Sequence, residues 1–259
     1  MNIQNIKKYA DMLYESEKNR VSILPLTEQD AGLTIDDAYA IQLANINRVT
    51  TMGQVISGKK IGLTSPGIQN QLGVNEPDYG HLFASMECED GVIDTTQLLQ
   101  PKIEAELAFI LSKDLAGGQV TAEDVHQATE YVVGAFEIVD SRIADWKIQL
   151  VDTVSDNASS GRYILGEKRF KIEEVDLPSV TMKLYKNNEV IEQGKGSAVL
   201  GDPCIAVAWL ANRLWEYGVT LKKGEVILSG AFSAAPLAQK GDTFRAEFSS
   251  FGNVTAEFR

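Results

Sequence analysis

Histidine and cysteine are scarce in this chain of 259 residues, with two of each. Cys88 and Cys204 stand far apart without CxxC spacing, so neither a disulfide scaffold nor a cysteine zinc site is indicated, and a reducing cytoplasm is the expected compartment. With only His81 and His126, a His-rich metal centre is impossible. Long apolar runs are missing too: nothing approaches the roughly 20 residues a membrane span requires. The opening stretch "MNIQNIKKYADMLYESEKNR" is charged throughout and holds no apolar h-region, so no secretory signal is expected. Basic residues are outnumbered, 24 Lys and Arg against 36 Asp and Glu, for a net charge of -12. No basic stripe is available to a nucleic-acid polyanion, which excludes that class of partner. A small anionic substrate would need a local cation, and a metal ion can be one. No repeat or low-complexity tract is visible.

What is present is the composition of an ordinary globular protein, 44% hydrophobic and 23% charged, with enough chain for a sizeable core. Ile3, Ile6, Ala10 and Leu13 have helical spacing and predict a helix over 2–18. "LTIDDAYAIQLANINRV" predicts a second, with Thr34 as N-cap and Asp37 three residues on. From about residue 55 short β-rich runs divided by Gly, Pro and Asn take over, with "KNNEV" as a hairpin signal. Asp202 and Pro203 open one further helix, and Gly218 stops it. The strands do not alternate with helices, which speaks against a doubly wound sheet or a TIM barrel. The expectation is an α+β fold: a helical N-terminal part over 1–55 and a β-rich domain with a curled mixed or antiparallel sheet over 56–259.

"PKIEAELAFIL" places two acids in a strand built for burial. Side chains alternate, so Glu104 and Glu106 share one face while Ile103, Ala105, Leu107 and Phe109 share the other. A solvated sheet face is one account of the pair. Two features count against it: Ala108 and Ile110 continue the acidic face, and "YVVGAFEIVDS" buries Glu137 in an equally apolar run. Three such carboxylates repel one another unless a cation lies between them, and oxygen ligands suit Mg²⁺ or Mn²⁺ better than zinc.

Lys59 and Lys60 are adjacent in a strand-like run, so one of them is expected to face inward, where burial can lower a lysine pKa and fit it for proton transfer. The other account is a surface lysine with a snorkelling stem. Asp78 follows Pro77, where either turn formation or chemistry explains it. In "DTVSDNASSGRYILG", Asp156, Asn157, Ser159 and Ser160 could offer polar groups to a ligand or simply form a polar loop.

Together "GKKIGLTS...QNQLGVNEPDYG", "QPKIEAELAFIL", "FEIVDSRIADWKI", "DTVSDNASSG" and "GEVILSG" resemble the 2-hydroxypenta-2,4-dienoate (2-keto-4-pentenoate) hydratases and the 4-oxalocrotonate decarboxylases of the fumarylacetoacetate hydrolase-like superfamily, over about Ile23 to Phe258. The resemblance implies a rolled mixed β-sheet with a smaller helical N-terminal part, and Mg²⁺ or Mn²⁺ on Glu104, Glu106 and Glu137. It further implies acid–base roles for Lys60 and Asp78, a substrate contact at Ser160, and a homo-oligomer, pentamer or decamer, associated with a pathway enzyme. "PGIQNQLGVNEPDYG" and "DWKIQLVDTVSDN" look hydratase-like, whereas Arg162 and "SGAFSAA" lean towards the decarboxylase, with Arg162 as a second substrate contact. The expected activity is hydration of 2-hydroxypenta-2,4-dienoate to 4-hydroxy-2-oxopentanoate in the meta-cleavage catabolism of aromatic compounds. The alternatives are 4-oxalocrotonate decarboxylation and non-catalytic binding of a divalent cation.

Overall fold

The computed structural model describes residues 3–65, 67, 69, 74 and 76–259. Much of the block "PGIQNQLGVNE" therefore lies outside the described residues. Helix α1 (Ile3–Asn19) and helix α3 (Ile35–Thr51) flank the short α2 (Leu26–Gln29). Thr34 and Asp37 form the expected capping box, each side chain bonding the other's backbone N–H. Tyr9, Ala10 and Leu13 of α1 pack on Ile41 of α3 and on Ile143, in a small apolar cluster of their own. Helices α4 (Ala122–Ala128), α5 (Leu150–Ser155) and α6 (Pro203–Glu216) follow. Helix α6 begins at Asp202, whose carboxylate accepts from the Cys204 N–H, and ends just before Gly218 at φ 71°.

Among the described residues the strands build two mixed sheets. The first runs β2 (Asp78–Phe83), β1 (Ile56–Gly62), β9 (Val226–Leu228), β4 (Lys102–Leu111), β5 (Thr129–Val139) and β6 (Ser160–Leu165), antiparallel except for β1 beside β9. The second runs β3 (Val92–Ile93), β11 (Gly252–Phe258), β10 (Thr243–Phe248), β7 (Thr181–Lys186) and β8 (Glu189–Lys195). Asn187 and Asn188, at φ 50° and 70°, make the tight turn between β7 and β8 that "KNNEV" predicted.

The first sheet curls until its edges meet. The Asn157 side chain accepts from the His81 N–H at 2.7 Å and donates to the His81 carbonyl at 2.9 Å, and the Cys88 N–H donates to the Tyr163 carbonyl. One face of this roll packs on the second sheet and on α6: Phe109, Phe136 and Ile138 share a core with Phe244, Phe248, Val254, Val207 and Leu210. Each such side chain contributes about 1.5–3 kcal/mol by leaving water. The opposite face carries a separate apolar cluster, Ala108, Ile110, Val133, Ala135, Tyr163 and Leu228, and beside it the acids.

Candidate active site

Strand pairing assembles the site. Glu104 of β4 lies opposite Glu137 of β5, and Glu106 opposite Ala135, so the three carboxylates leave the same face of the sheet. The register continues through β9: Ala108 lies opposite Leu228 and Leu228 opposite Lys60, which puts Lys60 on that face too. Gly62, two residues along β1, lies opposite Asp78 of β2. Lys60, Asp78, Glu104, Glu106 and Glu137 thus come together from four strands.

One oxygen from each glutamate lies within 4.8 Å of the others. Glu106 and Glu137 are wholly buried and Glu104 partly so. Glu106 Oε2 accepts from the Gly230 N–H at 2.9 Å, whereas among the described residues Glu106 Oε1 and Glu137 Oε2 accept no hydrogen bond and Glu137 Oε1 faces the Lys60 ammonium. Buried carboxylate oxygens without donors are costly, and like charges in one low-dielectric volume add to that cost. A divalent cation would remove both penalties, and an all-oxygen donor set suits a hard ion, so these residues are a candidate divalent cation site.

The titration behaviour of the acids agrees. Burial pushes the Glu137 carboxyl up to about 8, Glu104 and Asp78 add to the rise, and Lys60 opposes it. Burial, then Glu137 and Glu104, hold Glu106 well above the ordinary carboxylate range. Lys60 Nζ stands 3.3 Å from Glu137 Oε1. Burial pulls its ammonium down, but Glu137, Asp78, Glu104 and Glu106 outweigh it, so its pKa lies above the ordinary value. The lowering that burial suggested from sequence is therefore reversed by the acids around it.

The expectation that only one of the two lysines faces inward is corrected as well. Both are buried, because β1 is an interior strand covered on both faces. Lys59 points away from the acids and pairs with Glu225 Oε1 at 2.8 Å.

Asp78 is the first residue of β2 and is buried. Thr153 Oγ1 donates to its Oδ2 at 3.0 Å, and Oδ1 has no partner. The polar loop before β6 is largely committed to structure. Asp156 pairs with Arg142, Asn157 holds His81, and Ser160 Oγ donates to the Asn157 carbonyl at 2.8 Å. Ser160 nevertheless borders the site, because a side chain added at Gly80, the partner of Lys60, would meet its Oγ at 2.8 Å. Arg162 is placed differently: it lies opposite Ile138, on the face away from Glu137, and its guanidinium donates to the Gly161 carbonyl.

A cavity of about 330 Å³ lies between α1, α3 and the β2–β6 seam, bordered by Arg142, Ser160 and Arg162 among others, but by none of the three glutamates, Lys60 or Asp78. The carboxylate cluster is the stronger candidate for chemistry, because the buried carboxylate oxygens without donors are there and not in this cavity. Sequence reasoning did not find Thr153, Gly230 or Gly62. Gly230, at φ +112° and with no room for a side chain beside Thr64, brings its N–H to Glu106. Its signal was the glycine ending "GEVILSG". A helical threonine such as Thr153 gives no such signal.

The chain is similar to known proteins over its whole length. The fumarylacetoacetate (FAA) hydrolase C-terminal family matches residues 85–259. A 2-keto-4-pentenoate hydratase of Paraburkholderia xenovorans is 44% identical over 100% of this chain and 96% of its own length. A 2-hydroxyhexa-2,4-dienoate hydratase of Comamonas testosteroni is 43% identical over 98% of each. The 4-oxalocrotonate decarboxylase of Pseudomonas putida G7, solved with magnesium and adipate, superposes with a TM-score of 0.97 at 36% identity, covering 100% of this chain and 99% of that one. Family match, end-to-end relatives and superposition agree, and the chain belongs to the fumarylacetoacetate hydrolase C-terminal family.

Proposed function

We propose that the protein is a hydro-lyase that adds water to 2-hydroxypenta-2,4-dienoate and yields 4-hydroxy-2-oxopentanoate, in the meta-cleavage breakdown of aromatic compounds. The observation that carries this reading is Lys60 and Asp78 meeting the three-glutamate cluster in a chain that matches dienoate hydratases end to end at over 40% identity. Glu104, Glu106 and Glu137 would hold Mg²⁺ or Mn²⁺. Such an ion, when bound, stabilises negative charge that develops on the C2 oxygen of a 2-keto acid.

The residues of the chain do the rest. Lys60 Nζ, charged and closed to water, delivers a proton to C5 of the dienol, and the enol proton passes to the emptied Lys60 nitrogen, which leaves the conjugated 2-keto acid. Water then adds at C4, giving up one proton to Asp78 Oδ1, the buried acceptor left without a donor, and C3 takes that proton from Asp78, which returns to its carboxylate form. Ser160, at the seam beside Gly80, contacts the substrate. The two free cysteines fit action in the cytoplasm. The homo-oligomer implied by the resemblance belongs to the same proposal and is checked by light scattering.

The 0.97 superposition on a decarboxylase favours a second reading, loss of CO2 from 2-oxo-3-hexenedioate, because this too passes through a dienol. Arg162 gives that reading little support, since its register turns it away from the acids. A non-catalytic cation site would need neither Lys60 nor the donorless Asp78 oxygen. The deciding experiment offers both substrates in parallel with Mg²⁺ or Mn²⁺ and follows dienol absorbance together with CO2. Consumption of the dienol without CO2 is expected, and preferential CO2 release would move the assignment to decarboxylase.

A further inference from the structure

We infer that Thr153 is a positioning residue for Asp78, and that Gly62 supplies the space in which the Asp78 carboxylate faces Lys60. The inference deepens the proposed hydration and rests on that reading for its kinetic consequences. A buried carboxylate ordinarily collects donors on both oxygens, yet among the described residues the one hydrogen bond the Asp78 side chain makes is from Thr153 Oγ1 to Oδ2, at 3.0 Å. Thr153 sits on α5, is itself 3% exposed, and its hydroxyl crosses to a strand 75 residues earlier in the chain.

The other oxygen, Oδ1, is turned towards Gly62. A Cβ built there would fall 2.2 Å from Asp78 Oδ1 and 3.1 Å from Lys60 Nζ, so both atoms border one spot that only the absence of a side chain leaves open. The terminal torsion of an aspartate is broad, so its own preference does not select one orientation. The Thr153 hydroxyl does: it occupies Oδ2 and leaves Oδ1 as the acceptor beside Lys60. A hydroxyl that acts on the reaction only through another residue's orientation should affect turnover much more than substrate binding.

Thr153→Val keeps the shape and removes the donor, while Thr153→Ser keeps the donor. The experiment compares crystal structures and steady-state kinetics of both variants with the parent, using 2-hydroxypenta-2,4-dienoate and Mg²⁺. In Thr153→Val the Asp78 carboxylate is expected to rotate, with kcat falling about 10- to 100-fold and KM moving less than about twofold. Thr153→Ser is expected to restore both the orientation and kcat. An unrotated Asp78 in Thr153→Val, or a Thr153→Ser variant as impaired as Thr153→Val, overturns the inference. If the parent does not consume the dienol, the proposed function fails, and the carboxylate orientations in the two variants still decide the role of Thr153.

Discussion

Lys60 Nζ lies 3.3 Å from Glu137 Oε1, and both side chains are closed to solvent. The ammonium is thus a fixed positive charge beside a site for a second one, and the two repel. Lys60→Met should therefore bind Mg²⁺ or Mn²⁺ at least as tightly as the parent, by calorimetry, while turnover falls about 100-fold or more with the loss of a proton donor. Weaker cation binding in the variant would contradict a proton-transfer role separate from the metal site.

Glu106 is wholly buried, and among the described residues its one hydrogen bond comes from Gly230 N–H. Glu106→Gln keeps an acceptor for that N–H but removes a ligand charge. A ligand that binds only the folded state stabilises it by about 2.7 kcal/mol at 100 times its Kd. The parent should accordingly melt higher with Mg²⁺, and Glu106→Gln should lose most of that rise. Without cation the variant should be no less stable than the parent, because one buried acid has gone from a repelling cluster. An undiminished Mg²⁺ shift in the variant would show that the ion binds elsewhere.

The acids were legible in the sequence because strand alternation is a strict two-residue period, so Glu104 and Glu106 had to share a face, and the apolar run around Glu137 pointed to its burial. The helical opening, the α6 caps and the Asn187–Asn188 hairpin were legible for the same local reason. Burial of both lysines was not, since it depends on β1 lying between β2 and β9, a long-range pairing. Nor was the side that Arg162 takes, which follows from its pairing with Ile138. The Thr153–Asp78 bond spans 75 residues and leaves no local pattern.

His81 carries a pH dependence of its own. Gln42 Nε2 donates to the carbonyls of Tyr79 and Val154, so Gln42 Oε1 is the atom left facing His81 Nδ1, at 3.2 Å, and the ring is neutral with its proton on Nδ1. Burial, and then the neighbouring Lys59, push its pKa down to about 3 from 6.5. The folded value lies below the unfolded one, so from pH 6.5 down to about 3 the unfolded chain binds a proton that the folded chain refuses. Stability is intact above pH 6.5 and falls by about 1.4 kcal/mol per pH unit below it. Urea unfolding should show the parent losing about 2 kcal/mol more than His81→Gln between pH 7 and pH 5. Equal losses in the two proteins would rule out this histidine as the source.

The turn that leads to Ser160 is strained and needs support. Asn157, Ala158 and Ser159 lie at φ 52°, 49° and 54°, a left-handed region that costs an L-residue about 1–2 kcal/mol each. Arg142 offsets this: its Nε and backbone N–H hold the Asp156 carboxylate, and its two terminal nitrogens hold the carbonyls of Asp156 and Ser160. Arg142→Met removes the three side-chain ties, keeps the backbone one, and leaves Asp156 buried without its cation, a loss that costs about 3–5 kcal/mol. Ala158→Gly tests the strain separately. Glycine adopts the left-handed region freely, so this change should leave stability equal or raise it by up to about 1 kcal/mol. Chemical denaturation of both variants checks the argument. A loss under about 1 kcal/mol for Arg142→Met would mean that the turn holds itself, and a clear loss for Ala158→Gly would mean that the Ala158 methyl matters more than the strain.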